Sequence, residues 1–310
     1  LEYTSTYLEG EPVVLSGLVY APDDASRESM ILSIQNGTLV EYSSAPSNDL
    51  DNPAFLLMQA MASLGYVIVI QDYIGFGASE AYPHPYHVKP LFQSTVKDML
   101  LATQEMAASG DYPFQLSGEL FLTGYSLGGW ASLVSHYHLE SHPIEGLTLL
   151  VSVCGAGAYN LLDMKEHLFE QTNYSQPYYV ALLFSGFASV GAIDDDLSLV
   201  FAEPYDSRIP DLVNGEYSPS EINSQLTTNM QELLAPRLLT EFDTHADYAP
   251  LKQALIDNSQ AAWVNKAPIQ LFHGDADEDV PFSISENLYA DFQDLGLGTD
   301  KVSFVALEGA

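Results

Sequence analysis

The chain has 310 residues, of which 42 are acidic and 9 basic, so its formal net charge is -33. Such a surface repels nucleic-acid phosphates and anionic lipid headgroups, which argues against polyanions as partners. The only cysteine, Cys154, excludes an intrachain disulfide and a cysteine-built metal centre.

Hydrophobic residues make up 47% of the chain, and its length suits one large α/β domain or one domain carrying an insertion. No apolar run reaches the roughly 18 to 20 residues that a spanning helix needs. No stable membrane insertion is therefore expected. The opening LEYTSTYLEG lacks a basic region followed by an apolar one, so no targeting segment is visible. The acidic coat suggests adaptation to saline surroundings, an expectation open to a salt titration.

Short apolar runs alternate with amphipathic stretches, the pattern of a mostly parallel sheet flanked by helices. Strands are expected at Val13 to Tyr20, Met30 to Gln35 and Tyr66 to Gln71. Apolar residues then recur at helical spacing over Pro90 to Ser109, namely Leu91, Val96, Met99, Leu100, Ala102 and Met106, which predicts a helix packed on the sheet. Further strands are expected at Leu120 to Thr123, Leu147 to Val153, Ile269 to Phe272 and Val302 to Ala306. Uninterrupted apolar strands suit a sheet buried on both faces. From Ala156 to Lys266 the alternation stops, prolines recur at 204, 210, 219, 236 and 250, and the apolar segment PYYVALLFSGF spans Pro177 to Phe187. That stretch is far too long for a connecting loop. It is expected to form a mainly helical cap insertion, leaving 1–155 and 267–310 as the α/β core.

Residues 124 to 129 read GYSLGG, with apolar Glu119 to Thr123 before them and a helical stretch, Gly129 to Tyr137, after. A strand turning this sharply into a helix forces its central residue toward positive φ, and the flanking glycines remove side chains that would clash. Ser126 then stands at the tip of the turn as a candidate nucleophile; the plainer reading is a Gly-rich connection whose serine caps the helix.

Four motifs follow in order: SIQNGT at Ser33 to Thr38, DYIGFGAS at Asp72 to Ser79 with HPYH at His84 to His87, GYSLGG, and HGDADEDVPF at His273 to Phe282. Over nearly its whole length the chain resembles the α/β-hydrolase superfamily, and within it the secretory lipase and esterase group that carries a helical cap. The resemblance implies a mostly parallel central sheet flanked by helices and a serine hydrolase of carboxylic esters, acting through an acyl-enzyme on Ser126. It further implies a location that is secreted, periplasmic or at the cell surface.

By that resemblance the triad acid is Asp277, four residues after His273 and four before Pro281, although Asp275, Glu278 and Asp279 crowd the same loop. The acid holds an imidazole in its working tautomer and stabilises the imidazolium. The general-base histidine of the family follows the last strand, and here its expected place is just beyond Ala310. His136, His138, His167 and His245 are poor substitutes, and His273 reads as a structural residue at a strand end. The oxyanion hole is expected from the N–H of Leu127 and that of Thr38 or Gly37. Related sequences usually carry His where Asn36 stands. Tyr125, Asn36, Tyr178 and Phe184 are the expected substrate-binding residues, with the cap supplying apolar surface for an acyl chain.

Glu80 leaves GxGxxG incomplete after Gly75, and two imidazoles at His84 and His87 in a proline-rich loop fix no metal geometry. No cofactor or metal is therefore expected, and the partner is a small-molecule ester or lipid. A peptidase or acyltransferase on the same scaffold, or a noncatalytic binding protein of the same fold, are the alternatives.

Overall fold

The computed structural model describes all 310 residues. Eight strands form one sheet: β1 (Glu2–Thr6), β2 (Pro12–Tyr20), β3 (Glu28–Gln35), β4 (Tyr66–Gln71), β5 (Gln115–Tyr125), β6 (Thr148–Gly155), β7 (Ile269–Gly274) and β8 (Val302–Leu307). Their spatial order is β1-β2-β4-β3-β5-β6-β7-β8. The pairs β1–β2 and β2–β4 are antiparallel, and every later pair is parallel. The seven strands expected from the sequence are present, and β1 joins them at the edge.

Four helices belong to the core: α1 (Pro53–Ala62), α2 (Lys89–Ser109), α3 (Leu127–Ser141) and, after the insertion described below, α11 (Phe282–Asp294). Proline at the first turn of α1 and α2 fixes φ without losing a needed donor, and the Asn52 side chain accepts from Ala54 N–H to cap α1. Helix α2 ends where Gly110 takes φ 77°, a conformation glycine adopts at little cost.

The strand register shows how unequally the two faces are covered. On one face Ile31, Leu120, Leu122, Cys154 and Leu271 are fully buried under α2, α3 and α11. On the other, Leu32 and Ile34 line up with Ile68 and Ile70, and α1 covers them with Phe55, Met58 and Met61. Beyond α1 the same face continues through Phe121, Thr123, Val151, Val153 and Phe272, which remain only half-buried. It ends at Val305 and Leu307, each 41% exposed, while Leu57 on the outer side of α1 is 63% exposed.

Between β6 and β7 the chain is helical: α4 (Leu161–Glu170), α5 (Pro177–Ser189), α6 (Tyr205–Leu212), α7 (Pro219–Gln225), α8 (Met230–Leu233), α9 (Pro236–Glu241) and α10 (Ala249–Asn258). This layer is anchored to the core at its exit. Asn258 accepts from Lys89 N–H and from the Trp130 indole, and Glu140 at the end of α3 accepts from the Trp263 indole and from Lys266 and Ala267 N–H.

Candidate active site

Strand β5 ends at Tyr125 and helix α3 begins at Leu127, so one residue makes the whole turn. That residue, Ser126, has φ 57° and ψ -122°, a conformation costly for a residue with a β-carbon. Its neighbours over-determine it: Ser126 N–H donates to Gly155 O at 2.9 Å, and its own carbonyl accepts from Trp130 N–H at 3.1 Å. The turn also requires three glycines. A β-carbon at Gly124 or Gly128 would run into the Gln35 carbonyl at the end of β3, and one at Gly129 into the Gly155 carbonyl. Ser126 is half-buried, while Tyr125 beside it is 52% exposed.

Leu127, as the first helical residue, directs an N–H with no acceptor inside α3 outward at the positive end of the helix. Close by is the loop after β3, where a β-carbon added to Gly37 would lie 3.8 Å from the Tyr125 carbonyl. The N–H groups of Gly37 and Thr38 have no backbone acceptor. Asn36 shapes this loop: its amide donates to Gln71 O at 2.7 Å, and its carbonyl accepts from the Tyr73 hydroxyl at 3.0 Å. The Thr38 hydroxyl pairs with Tyr86 at 2.8 Å.

Asp277 sits in the loop between β7 and α11. Its Oδ1 accepts from Asp279 N–H and Val280 N–H, both at 2.9 Å. Its Oδ2 accepts from the Tyr125 hydroxyl at 3.3 Å and lies 3.4 Å from His273 Nε2. Burial pushes its pKa up, but hydrogen bonds from His273 and from the two backbone amides outweigh that and hold the carboxyl below its ordinary range. Asp279 differs: burial, with Asp277 and Glu278 beside it, raises its pKa. Asp277 and Asp279 are thus pushed in opposite directions, and of the two Asp277 is the one held as a carboxylate. The chain end reaches the same place, since Ala276 N–H donates to Ala310 O at 3.0 Å and Gly309 N–H to Asp275 Oδ1 at 2.7 Å.

A cavity of about 50 Å³ joins the elbow to the helical insertion, lined by Ser126 and Leu127, by Tyr86 and His87, by Asp279 and Val280, and by apolar side chains of α4 and α5. The contributions of α5 are Tyr179, Val180 and Leu183. Tyr178 and Phe184, expected to meet substrate, do not line it. Tyr178 is buried with its N–H on Asn223, and the Phe184 ring packs on Phe201 at 5.8 Å. Each residue turns a helix by about 100°, so an expectation one position off faces another way. Asn36 is likewise spent on loop structure rather than on the cavity lining.

Of the eight histidines, only His87 lines this cavity. Burial, with His84 nearby, pushes its pKa down to about 3, and its Nδ1 has no partner, so no carboxylate orients it as a base. His273 is buried between Ser285 and the Val280 carbonyl, and His136 between Ser152 and Glu140. His138 stacks on His142, His167 pairs with Gln171, and His245 with Arg237. His84 donates from Nδ1 to Ile74 O at 2.7 Å. No group of three or more His, Cys, Asp or Glu side chains converges as a metal site.

No protein-family model matches the sequence, and no curated protein matches it. Solved structures do. A putative hydrolase from Legionella pneumophila superposes with a TM-score of 0.89 at 26% identity, covering 100% of this chain and 81% of that one. The rice cell wall degrading esterase LipA from Xanthomonas oryzae gives 0.88 at 22%, covering 100% and 82%. Candida antarctica lipase A in its closed state gives 0.72 at 17%, covering 99% and 72%.

Proposed function

We propose that this chain, an α/β-hydrolase in fold, is a serine carboxylesterase that works through an acyl-enzyme on Ser126. The observation that carries the reading is the elbow: a serine held at φ 57° between β5 and α3, opening on a cavity beside the Asp277 loop. Strain of this kind persists where function keeps it. The similarity to structures called esterase, lipase and hydrolase supports ester hydrolysis as the general chemistry.

In this reading Ser126 Oγ attacks the ester carbonyl carbon and gives up its proton to a histidine, and the carbonyl π electrons move onto oxygen. The oxyanion receives the N–H of Leu127 and that of Gly37 or Thr38. Collapse breaks the bond to the alkoxide oxygen, which takes the proton from the imidazolium and leaves as the alcohol, and water then releases the acid by the same steps. Asp277, kept ionised by its amide partners, orients the histidine.

None of the eight histidines present is placed for this task. The base, on this proposal, is a histidine joined beyond Ala310, supported by the Ala310 carbonyl lying against the acid loop at Ala276. Residues 156–266 act as the cap over the cavity, while Tyr125, expected to meet substrate, stands exposed beside Ser126 and does not line it. Location outside the cytoplasm belongs to the same proposal, supported by the similarity to the Xanthomonas esterase, which degrades rice cell wall.

The test is hydrolysis of p-nitrophenyl esters by a chain extended through that histidine, by its Ser126→Ala variant, and by the 310-residue chain. The first is expected to be active and the other two slower by ~10³-fold or more. Equal rates for the extended chain and Ser126→Ala end the proposal.

A further inference from the structure

The cavity beside Ser126 is small, and its lining includes an imidazole, His87, to which the protein makes no hydrogen bond. Its volume is about 50 Å³, whereas an apolar cavity of roughly 150 Å³ holds benzene and pockets for drug-sized ligands begin near 300 Å³. Leu161, Met164 and Leu168 of α4 and Val180 and Leu183 of α5 close it on the cap side. During turnover the alcohol leaves while the acyl group stays bonded to Oγ. The narrow space under α4 and α5 therefore suits the retained group.

His87 is 4% exposed and neither ring nitrogen has a hydrogen-bond partner: Nδ1 is sealed inside the packing, whereas Nε2 keeps the little surface the ring has. Polar atoms this deep are nearly always paired, so an open, unpaired Nε2 in a cavity shared with Ser126 marks a place for a ligand atom. The ring is wedged rather than mobile: Trp130 lies 4.4 Å from it and Tyr86 4.6 Å, centroid to centroid. Its backbone sits at φ 56°, a left-handed conformation held against its cost. Burial keeps the imidazole uncharged, leaving it one N–H donor and one acceptor nitrogen. Such a group matches a neutral hydroxyl, ether or keto oxygen and gives no advantage to a carboxylate.

We propose that the cavity selects a short acyl group, of about two to four carbons by its volume, carrying a neutral hydrogen-bonding atom, and that His87 is the specificity-determining residue that receives this atom. The inference rests on the esterase reading above and names the substrate class of the same site. It separates from that reading in the experiment.

The measurement is kcat/KM for p-nitrophenyl butanoate, 3-hydroxybutanoate and octanoate on the extended chain. The hydroxyacyl ester is expected to exceed butanoate by ~10-fold or more, and octanoate to fall ~100-fold below butanoate. His87→Phe, which keeps an aromatic ring against Trp130, is expected to bring the hydroxyacyl preference close to one. His87→Asn retains a donor and an acceptor and tolerates positive φ, so it should restore part of the preference. Each ratio is read within one protein, so a less stable variant still reports. A ratio near one in the unmodified protein, a preference for octanoate, or an unchanged ratio in His87→Phe overturns the inference while leaving the esterase standing. Failure to hydrolyse any of the three removes both.

Discussion

The hydroxyl of Tyr125 donates to Oδ2 of Asp277 across 3.3 Å, joining the residue before the strained Ser126 turn to the loop between β7 and α11, from which we propose the triad acid comes. Two segments 152 residues apart in sequence are thereby brought to one end of the sheet. The contact also raises the Tyr125 pKa, after burial, because the phenolate would face a carboxylate.

Replacing Asp277 with Asn is expected to lower kcat of the extended chain by ~10³ to 10⁴-fold with little change in KM, because the imidazole loses its orienting charge. Tyr125→Phe removes only a long hydrogen bond and should cost less than ~5-fold. Steady-state kinetics on both variants check the pair; a larger loss in Tyr125→Phe would make the tyrosine, not the acid, the critical partner.

Gly128→Ala places a methyl group against the Gln35 carbonyl, a backbone atom that cannot step aside. We expect destabilisation of ~3 kcal/mol or more, by overpacking. The urea midpoint measures it, and a shift under about 1 kcal/mol would show that β3 and the elbow can separate.

Glu140 collects four donors: the His136 imidazole, the Trp263 indole, Lys266 N–H and Ala267 N–H. Burial opposes its ionisation, but the hydrogen bonds from His136, Trp263 and Ala267 bring its pKa down to about 2. A depressed carboxylate contributes stability above its unfolded pKa, near 4.5, and loses it as pH falls toward 2. Glu140→Gln should therefore destabilise by ~2 kcal/mol at pH 7 and much less at pH 2.5. Denaturation midpoints at the two pH values check the sign.

With 42 acidic against 9 basic residues, most carboxylates have no cationic partner. Screening by salt relieves their mutual repulsion, so the thermal midpoint is expected to rise between ~0.05 and ~1 M NaCl. A flat profile would remove the case for adaptation to saline surroundings.

The α/β-hydrolase fold was legible because its parallel strands are apolar runs and its elbow has a local steric signature. Ser126 could be singled out because Gly124, Gly128 and Gly129 each record a backbone approach. Strand β1 was not, since EYTST alternates like any exposed edge. Helix α1 was overlooked although Asn52 followed by Pro53 is a start signal, because its apolar residues surround the axis instead of forming a stripe. The same property hid the face of α5 that meets the cavity. PYYVALLFSGF is apolar on every side, and only packing against α7 and the Tyr86 loop decides that Tyr179 and Leu183 point inward while Phe184 does not. The unpaired nitrogen of His87 lay wholly outside sequence reasoning, because an absent hydrogen bond has no residue pattern.

The half-covered sheet face sets a colloidal consequence for the chain. Phe121, Val151, Val153, Phe272, Val305 and Leu307 together offer an apolar strip to solvent beside α1, of the kind that takes up hydrophobic dyes and other copies of itself. Repulsion between molecules of charge -33 keeps such strips apart in dilute buffer. Added electrolyte thus acts twice on the 310-residue chain, tightening each molecule while letting neighbours approach, so light scattering and the melting midpoint should climb together.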